Sequence, residues 1–310
     1  MATMRIMSNQ SIAWLNGRFV SEREATISPV DAGFVQGTAV AEQLRTFGGK
    51  LFHLEEHLDR LVRSLAVLRI APIPPRSELA AAAEELVARN HPLLESGDDL
   101  GVSIVVTPGP YAGYSGKAGP PTVCLHTYPL QFRFWAAKYH AGQALATTAI
   151  EQAPPQCWPP TVKCRSRMHY FLADREAAEI DPAARAVLLD RQGMVTEAST
   201  ANIVLYRSDR GLITPPQTTV LPGISLHALA ELAQARGIEL SERLFPPEAI
   251  AAADEVFLTS TPFCMLPVTR FNRRPVGGGT PGAVFRAILQ AWNELVGIDI
   301  VAQAERFAVR

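Results

Sequence analysis

Lys163 heads a stretch, 161–179, that opens with Thr161-Val162 and runs on into a helical pattern. Met168, Phe171, Leu172 and Ala178 recur there on one predicted helix face. A lysine at a strand-to-helix junction is held by backbone on both sides. That suits a nucleophilic amine, which must be positioned and partly desolvated to react as neutral NH2. Most lysines are solvated surface charges, so Lys163 takes its meaning from the residues that follow it. Val187–Leu189 reads as a strand, Asp190-Arg191-Gln192-Gly193 as a turn and Met194–Glu197 as the return strand, with Glu197 at its end. Ala201–Tyr206 reads as a third strand.

Further on, Pro222-Gly223-Ile224-Ser225 precedes a helical run. Ser225 is expected to cap that helix and Gly237 to end it. Free backbone N–H groups at such a start, next to Gly223, make a ready anion site.

With these pieces in order, the chain resembles the class IV (fold type IV) pyridoxal-phosphate-dependent aminotransferases. The resemblance runs from about Trp14 to about Val296. It rests on EHLDRL at 56–61, the Lys163 junction, LLDRQGMVTEASTANI at 188–203, LITP at 212–215 and LPGIS at 221–225. Each piece is weak alone; the ordered set is specific. It implies a two-domain, mixed α/β (α+β) fold, with a smaller N-terminal α/β domain and a larger, strand-rich pseudo-barrel domain. It also implies the cofactor pyridoxal 5′-phosphate and a homodimer.

The resemblance assigns roles position by position. Lys163 is the residue that holds the cofactor aldehyde as an internal aldimine. Glu197 pairs with the pyridine nitrogen. Arg60 binds the phosphate, together with the backbone N–H groups of Ile224 and Ser225 after Gly223. Thr261 is the second phosphate-binding position, with Ser260 beside it, and Leu221 packs on the cofactor ring. These roles make chemical sense by themselves. A carboxylate keeps the ring nitrogen protonated, so the ring can accept electrons. A guanidinium is a permanent charge with a fork that fits phosphate. A freed lysine can carry a proton between two carbons.

The implied activity is transfer of an amino group from an amino acid or amine to a 2-oxo acid by ping-pong chemistry. The alternative is an aminodeoxychorismate-lyase-like reaction on the same fold. Some positions depart from the branched-chain enzymes of the family. Met168 stands where they place a tyrosine, Gln36 and Ala41 replace aromatic residues, and their Tyr-x-Arg element has no match around 100–103. KCRSRM at 163–168 is closer to the D-amino-acid and lyase branch, although the lyases' threonine is missing near Gln43. Arg165 and Arg167, close behind the lysine, are open to two readings: recruitment of a substrate carboxylate, or a helix surface.

These residues need a frame. Asn16-Gly17 between two apolar runs predicts a hairpin. Val40–Phe47 reads as a strand that turns at Gly48-Gly49. His53–Leu68 is the clearest helix, with Leu54, Leu58, Leu61, Leu65 and Leu68 in one stripe and Arg60 beside it. Ser77–Asn90 is a second helix, and Leu100–Thr107 and Thr122–Tyr128 are strands. The loop Pro108–Pro121 between them is too long for a plain hairpin and is a candidate substrate gate. The expected division is a small domain at 1–131, a connection at 132–140 and a large cofactor-binding domain at 141–310. Helices are predicted at Ser225–Arg236, Pro247–Ala253 and Pro281–Val296, the last opened by Thr280-Pro281. Gly277-Gly278-Gly279 lacks the following lysine of a nucleotide loop.

The 310 residues allow two cores. Lysine plus arginine, 29, balance aspartate plus glutamate, 30, which argues against nucleic acid or an acidic membrane as partner. No apolar run reaches spanning length, and MATMRIMSNQ lacks a signal core. Four scattered cysteines without a CxxC pair fit a reducing, cytoplasmic setting and give no metal pattern.

Overall fold

The computed structural model describes residues 10–309. The chain divides into two compact units. The first runs to Leu130 and takes back Lys163–Ser166; the second is Gln131–Val162 with Arg167 onward.

The first unit is built on a six-stranded sheet: β1 (Ile12–Leu15), β2 (Arg18–Ser21), β3 (Val40–Phe47), β4 (Lys50–Leu51), β5 (Leu100–Thr107) and β6 (Thr122–Pro129). Their order is β2-β1-β6-β5-β3-β4, and every pairing is antiparallel. The expected hairpin is present. Asn16 and Gly17 both take positive φ, 48° and 87°, the conformation a two-residue turn needs to match strand twist. Alternation gives the sheet two unlike faces. Val40, Leu44, Val102, Ile104 and Leu125 meet Leu54, Leu58, Leu61 and Leu65 of the helix Leu54–Leu68, so the leucine stripe is buried as expected. Leu79, Ala83 and Leu86 of the helix Arg76–Asn90 complete this core. Each such leucine contributes roughly 1.5–3 kcal/mol. The other face carries Gln43, Ser103 and His126, which stand opposite one another in the register.

The second unit has a nine-stranded sheet: β7 (Gln143–Thr147), β8 (Ala184–Leu189), β9 (Val195–Ala198), β10 (Asn202–Arg207), β11 (Gly211–Thr214), β12 (Leu240–Glu242), β13 (Glu255–Ser260), β14 (Cys264–Phe271) and β15 (Arg274–Pro275). The order is β12-β11-β10-β13-β14-β7-β8-β9, with β15 on β14. A bridge between Ala198 and Ala201 brings the last strand in that order back beside β10, so the sheet curls on itself. Three pairings are parallel: β11 with β12, β14 with β7, and β7 with β8.

Two local expectations are corrected here. The helix Met168–Ile180 packs through Ala173 and Ala177, with Tyr170 and Ile180 beside them, against Ala146, Ala186 and Leu188, not through Met168, Phe171 and Leu172. Met168, Phe171 and Leu172 are 71%, 60% and 45% exposed. Small side chains let this helix lie close on the sheet, and that outweighs the larger apolar stripe. The last long helix, Ala283–Val296, is opened by Gly282 rather than by Thr280-Pro281. The Glu255 carboxylate caps it by accepting from the N–H groups of Val284 and Phe285, at 2.8 and 2.9 Å.

Candidate active site

Lys163 is fixed through its backbone. Ala41 N–H donates to Lys163 O at 3.0 Å, Arg165 N–H donates to Ala39 O at 2.8 Å, and Val40 and Cys164 pair as an antiparallel bridge. The lysine segment thus adds an extended piece to the free edge of β3, which explains its membership of the first unit. On the other side of this segment, Lys163 N–H donates to Ser64 Oγ at 3.3 Å. The expected strand-to-helix junction is corrected: 161–162 form a turn, Cys164 makes a single bridge, and the helix begins only at Met168, so the half-buried lysine is held by its carbonyl on Ala41 and by Ser64.

Arg60 sits one helical turn before Ser64 and is 3% exposed. Its Nε and Nη2 donate to the two carboxylate oxygens of Glu42, both at 2.7 Å, a fork-on-carboxylate geometry. His57 Nδ1 lies 2.8 Å from Glu42 Oε2. Burial opposes charge on Glu42, yet the Arg60 guanidinium and the His57 hydrogen bond outweigh it and hold the carboxyl well below the usual range. Burial pushes His57 down, and the Arg60 and Lys163 cations add to that against the pull of Glu42. Lys163 and Arg60 therefore share one electrostatic neighbourhood. Sequence reading missed Glu42 and His57 as its members; the alternation of Glu42 with Val40 and Leu44 on the core face was the available signal.

Glu197, in β9 of the second unit, is 4% exposed. Its Oε1 accepts from Gln152 Nε2 at 2.7 Å and from the Tyr170 hydroxyl. Burial, then the Glu197 charge, pushes the Tyr170 phenol well above its ordinary value, so it stays a neutral donor. Neither partner was read from the sequence, because each is far from Glu197 in the chain and neither belongs to a recognised motif.

The remaining predicted residues also lie in the second unit. The helix Ile224–Gln234 is opened by Gly223, with no side chain capping it. Ser225 is inside the first turn and is not the cap, which corrects the sequence expectation; a residue already in helical conformation cannot fold its hydroxyl back as a cap does. Gly237, with φ of 72°, follows the last turn as expected and donates to Gln234 O. The bond from His227 N–H to Gly223 O opens the helix, and the N–H groups of its first turn, those of Ile224 and Ser225 among them, point out of the helix start, where an anion is favoured. A Cβ on Gly223 would run into Asn202 Oδ1. That asparagine also donates from Nδ2 to Leu221 O at 2.8 Å and so fixes the loop before the helix. Ser260 Oγ donates to Thr200 O at 3.0 Å, and Thr261 follows it, half-buried, at the end of β13.

These residues fit the group the resemblance implies. A glycine-opened helix start suits a phosphate, a buried carboxylate with two donors suits a protonated ring nitrogen, and a backbone-fixed amine suits an aldehyde. Among the described residues no cluster of side chains could hold a metal ion, and no helix is long and apolar enough to cross a membrane.

Comparison with known proteins agrees. The family model "Amino-transferase class IV" matches residues 39–271. A D-alanine aminotransferase of Bacillus licheniformis is 29% identical over 278 residues, 89% of this chain and 94% of the relative. A branched-chain-amino-acid aminotransferase of Escherichia coli K12 is 28% identical over 291 residues, 90% of this chain and 91% of the relative. A crystal structure of the Escherichia coli branched-chain enzyme superposes with a TM-score of 0.84 at 26% identity, covering 93% of this chain and 95% of that one. A second branched-chain enzyme, from a T.th. strain and solved with N-(5′-phosphopyridoxyl)-L-glutamate, gives 0.81 at 26% identity, covering 93% and 95%. The chain belongs to the class IV aminotransferases and is a transaminase with the fold type IV architecture that uses pyridoxal 5′-phosphate.

Proposed function

We propose that this enzyme moves an amino group from an amino acid to a 2-oxo acid in two half-reactions at one site, with Lys163 as its reacting amine. The observation that carries the reading is Glu197, a buried carboxylate held by Tyr170 and Gln152. Such a group has little structural reason to be charged and buried, and it has a clear chemical one. When bound, pyridoxal phosphate supplies an electron-accepting ring for the carbanion at the donor's α-carbon.

The chain's own residues supply the rest. Glu197 holds a proton on the ring nitrogen. Arg60, the N–H groups of Ile224 and Ser225 after Gly223, and Ser260 and Thr261 hold the phosphate. Leu221 packs on the ring. Lys163 Nζ takes the proton from the donor's α-carbon and delivers it at the next step. In this reading the small domain ends at 131, 132–140 is the connection and the cofactor-binding domain starts at 141, apart from Lys163–Ser166, which cluster with the first unit, and the loop 108–121 gates substrate.

A homodimer is part of the same proposal. Met168, Phe171 and Leu172 stand exposed along one helix and offer an apolar face that a second copy would bury. A cytoplasmic location is supported by four free cysteines. The relatives' names point to D-alanine and to branched-chain amino acids as donors.

The test is a half-reaction spectrum. Cofactor-loaded protein is mixed with single L-amino acids, D-amino acids and (R)-amines, and loss of the visible cofactor band is followed. Bleaching by one group establishes transamination and fixes the stereochemistry. No bleaching by any donor, together with cofactor retained by Lys163→Ala after dialysis, would overturn the reading.

A further inference from the structure

We infer that Arg165 is the carboxylate receptor of this enzyme, and that it makes α-carboxylate-bearing donors and acceptors its substrates in preference to simple amines. The assignment deepens the transaminase reading and takes Lys163 as the reacting amine from it.

The argument begins with the bridge between Val40 and Cys164. Its two flanking hydrogen bonds, Ala41 N–H to Lys163 O and Arg165 N–H to Ala39 O, define an extended segment along the edge of β3. In such a segment alternate side chains share a face. Cys164 takes the side of its partner Val40, so its neighbours Lys163 and Arg165 start from the other side, where Arg165 reaches Ser103 while Lys163 also stands close enough to His57 to act on its charge. Their Cα atoms are roughly 7 Å apart at the rise of an extended chain. A reacting amine and a guanidinium are thereby carried two residues apart on one segment, the two groups that an α-amino acid needs. Its reacting carbon and its carboxylate are neighbouring atoms.

The guanidinium has a defined position. Arg165 Nη2 donates to Ser103 Oγ at 3.4 Å, and Ser103 is itself 1% exposed. His126 stands opposite Ser103 in the register of β5 and β6, and Tyr128 stands opposite Gly101. Gly101 has no side chain to keep the Tyr128 ring away; a Cβ there would run into that ring. The missing side chain thus makes room for the phenol on the face that Arg165 crosses. Burial, aided by Arg165, keeps His126 below its ordinary value, and burial raises Tyr128 despite Arg165. Arg165 therefore works beside hydroxyl, imidazole and phenol groups that can complete a carboxylate's hydrogen bonds. A planar fork of this kind recognises a carboxylate on two oxygens, which a lysine at the same place would not.

Two measurements decide it. In the first, 4-methylvalerate, an unreactive carboxylate, is titrated calorimetrically into cofactor-loaded wild type, R165Q and R165K. Binding about 10- to 100-fold weaker in R165Q, with R165K between, supports the assignment. Equal binding in all three, or no binding to wild type, overturns it. In the second, the half-reaction efficiency for an amino acid is divided by that for the amine lacking its carboxylate. That ratio falls by a similar factor in R165Q, and an unchanged ratio overturns the assignment. A melting curve like that of wild type qualifies each variant, and R165K carries both measurements where R165Q does not fold. If wild type reacts with no donor at all, the transaminase reading fails by itself and the calorimetry still judges Arg165.

Discussion

One oxygen of Glu197, Oε1, accepts both the Tyr170 hydroxyl and the Gln152 amide. Two donors on one buried oxygen stabilise the charged form of the carboxylate and fix its orientation. Tyr170→Phe removes one of them and leaves the packing. The expected result is a loss of about 1–3 kcal/mol in unfolding free energy. The pH dependence of the bound cofactor's spectrum should shift as well, because a less supported carboxylate holds the ring nitrogen's proton differently. A melting change with no spectral change would show Tyr170 to be purely structural.

Tyr170 also sets an alkaline limit. Its folded pKa lies well above the ordinary 10, with burial as the first cause and the Glu197 charge as the second. The folded state thus keeps a proton that the unfolded state releases above pH 10. By linkage, stability is complete below that value and is lost as pH rises beyond it. Chemical denaturation between pH 9 and 11 should show a decline in wild type that is weaker in Tyr170→Phe.

At the acid end, Glu42 and His57 act in the same direction. The Glu42 carboxyl is held below its ordinary 4.5 by Arg60 and His57 against the cost of burial. His57 is held below its ordinary 6.5, first by burial. Both groups bind more protons in the unfolded chain, so both contribute stability at neutral pH that falls away on acidification. His57 accounts for a loss that begins below about pH 6.5, and Glu42 for a steeper one below about pH 4.5. Glu42→Gln leaves Arg60 buried with a weaker partner, and about 3–5 kcal/mol of stability should go with it. Melting curves from about pH 2 to 8 check both statements. His57→Asn should flatten the upper part of the profile and leave the lower part.

The parts legible in the sequence were those set by local periodicity or by ordered motifs. The leucine stripe of 54–65 is buried, and Asn16-Gly17 turns a hairpin, because each depends on residues a few positions apart. The junction at Lys163 was misread, because two apolar residues before a helical pattern also suit the turn at 161–162 that the chain takes there, and the helix begins only at Met168. The face of Met168–Ile180 was misread, since periodicity reports where large apolar residues recur and not whether small ones allow closer packing. The cap of 283–296 was misread because it comes from Glu255, on a strand well before the helix. The partners of Glu197 were invisible for the same reason: the hydrogen bonds span 27 and 45 residues, and no spacing rule reaches that far.

Gly223 offers the sharpest test of the helix start. Its backbone is ordinary, with φ of −75° and ψ of 130°, so an alanine could adopt it without strain. What forbids a side chain is Asn202 Oδ1, which occupies the place of the missing Cβ while Nδ2 holds Leu221 O. Gly223→Ala should therefore displace Asn202, loosen the 221–223 loop and misalign the N–H groups of Ile224 and Ser225. Cofactor retention is expected to weaken about tenfold, equal to roughly 1.4 kcal/mol. Asn202→Ala alone should cost a similar amount through the lost Leu221 bond. If the two act through one contact, the double variant loses far less than the sum of the singles, as residues in direct contact do. Equilibrium titration of the four proteins with pyridoxal phosphate measures that coupling. Strict additivity would show that the glycine matters to phosphate for some other reason than the room it leaves for Asn202.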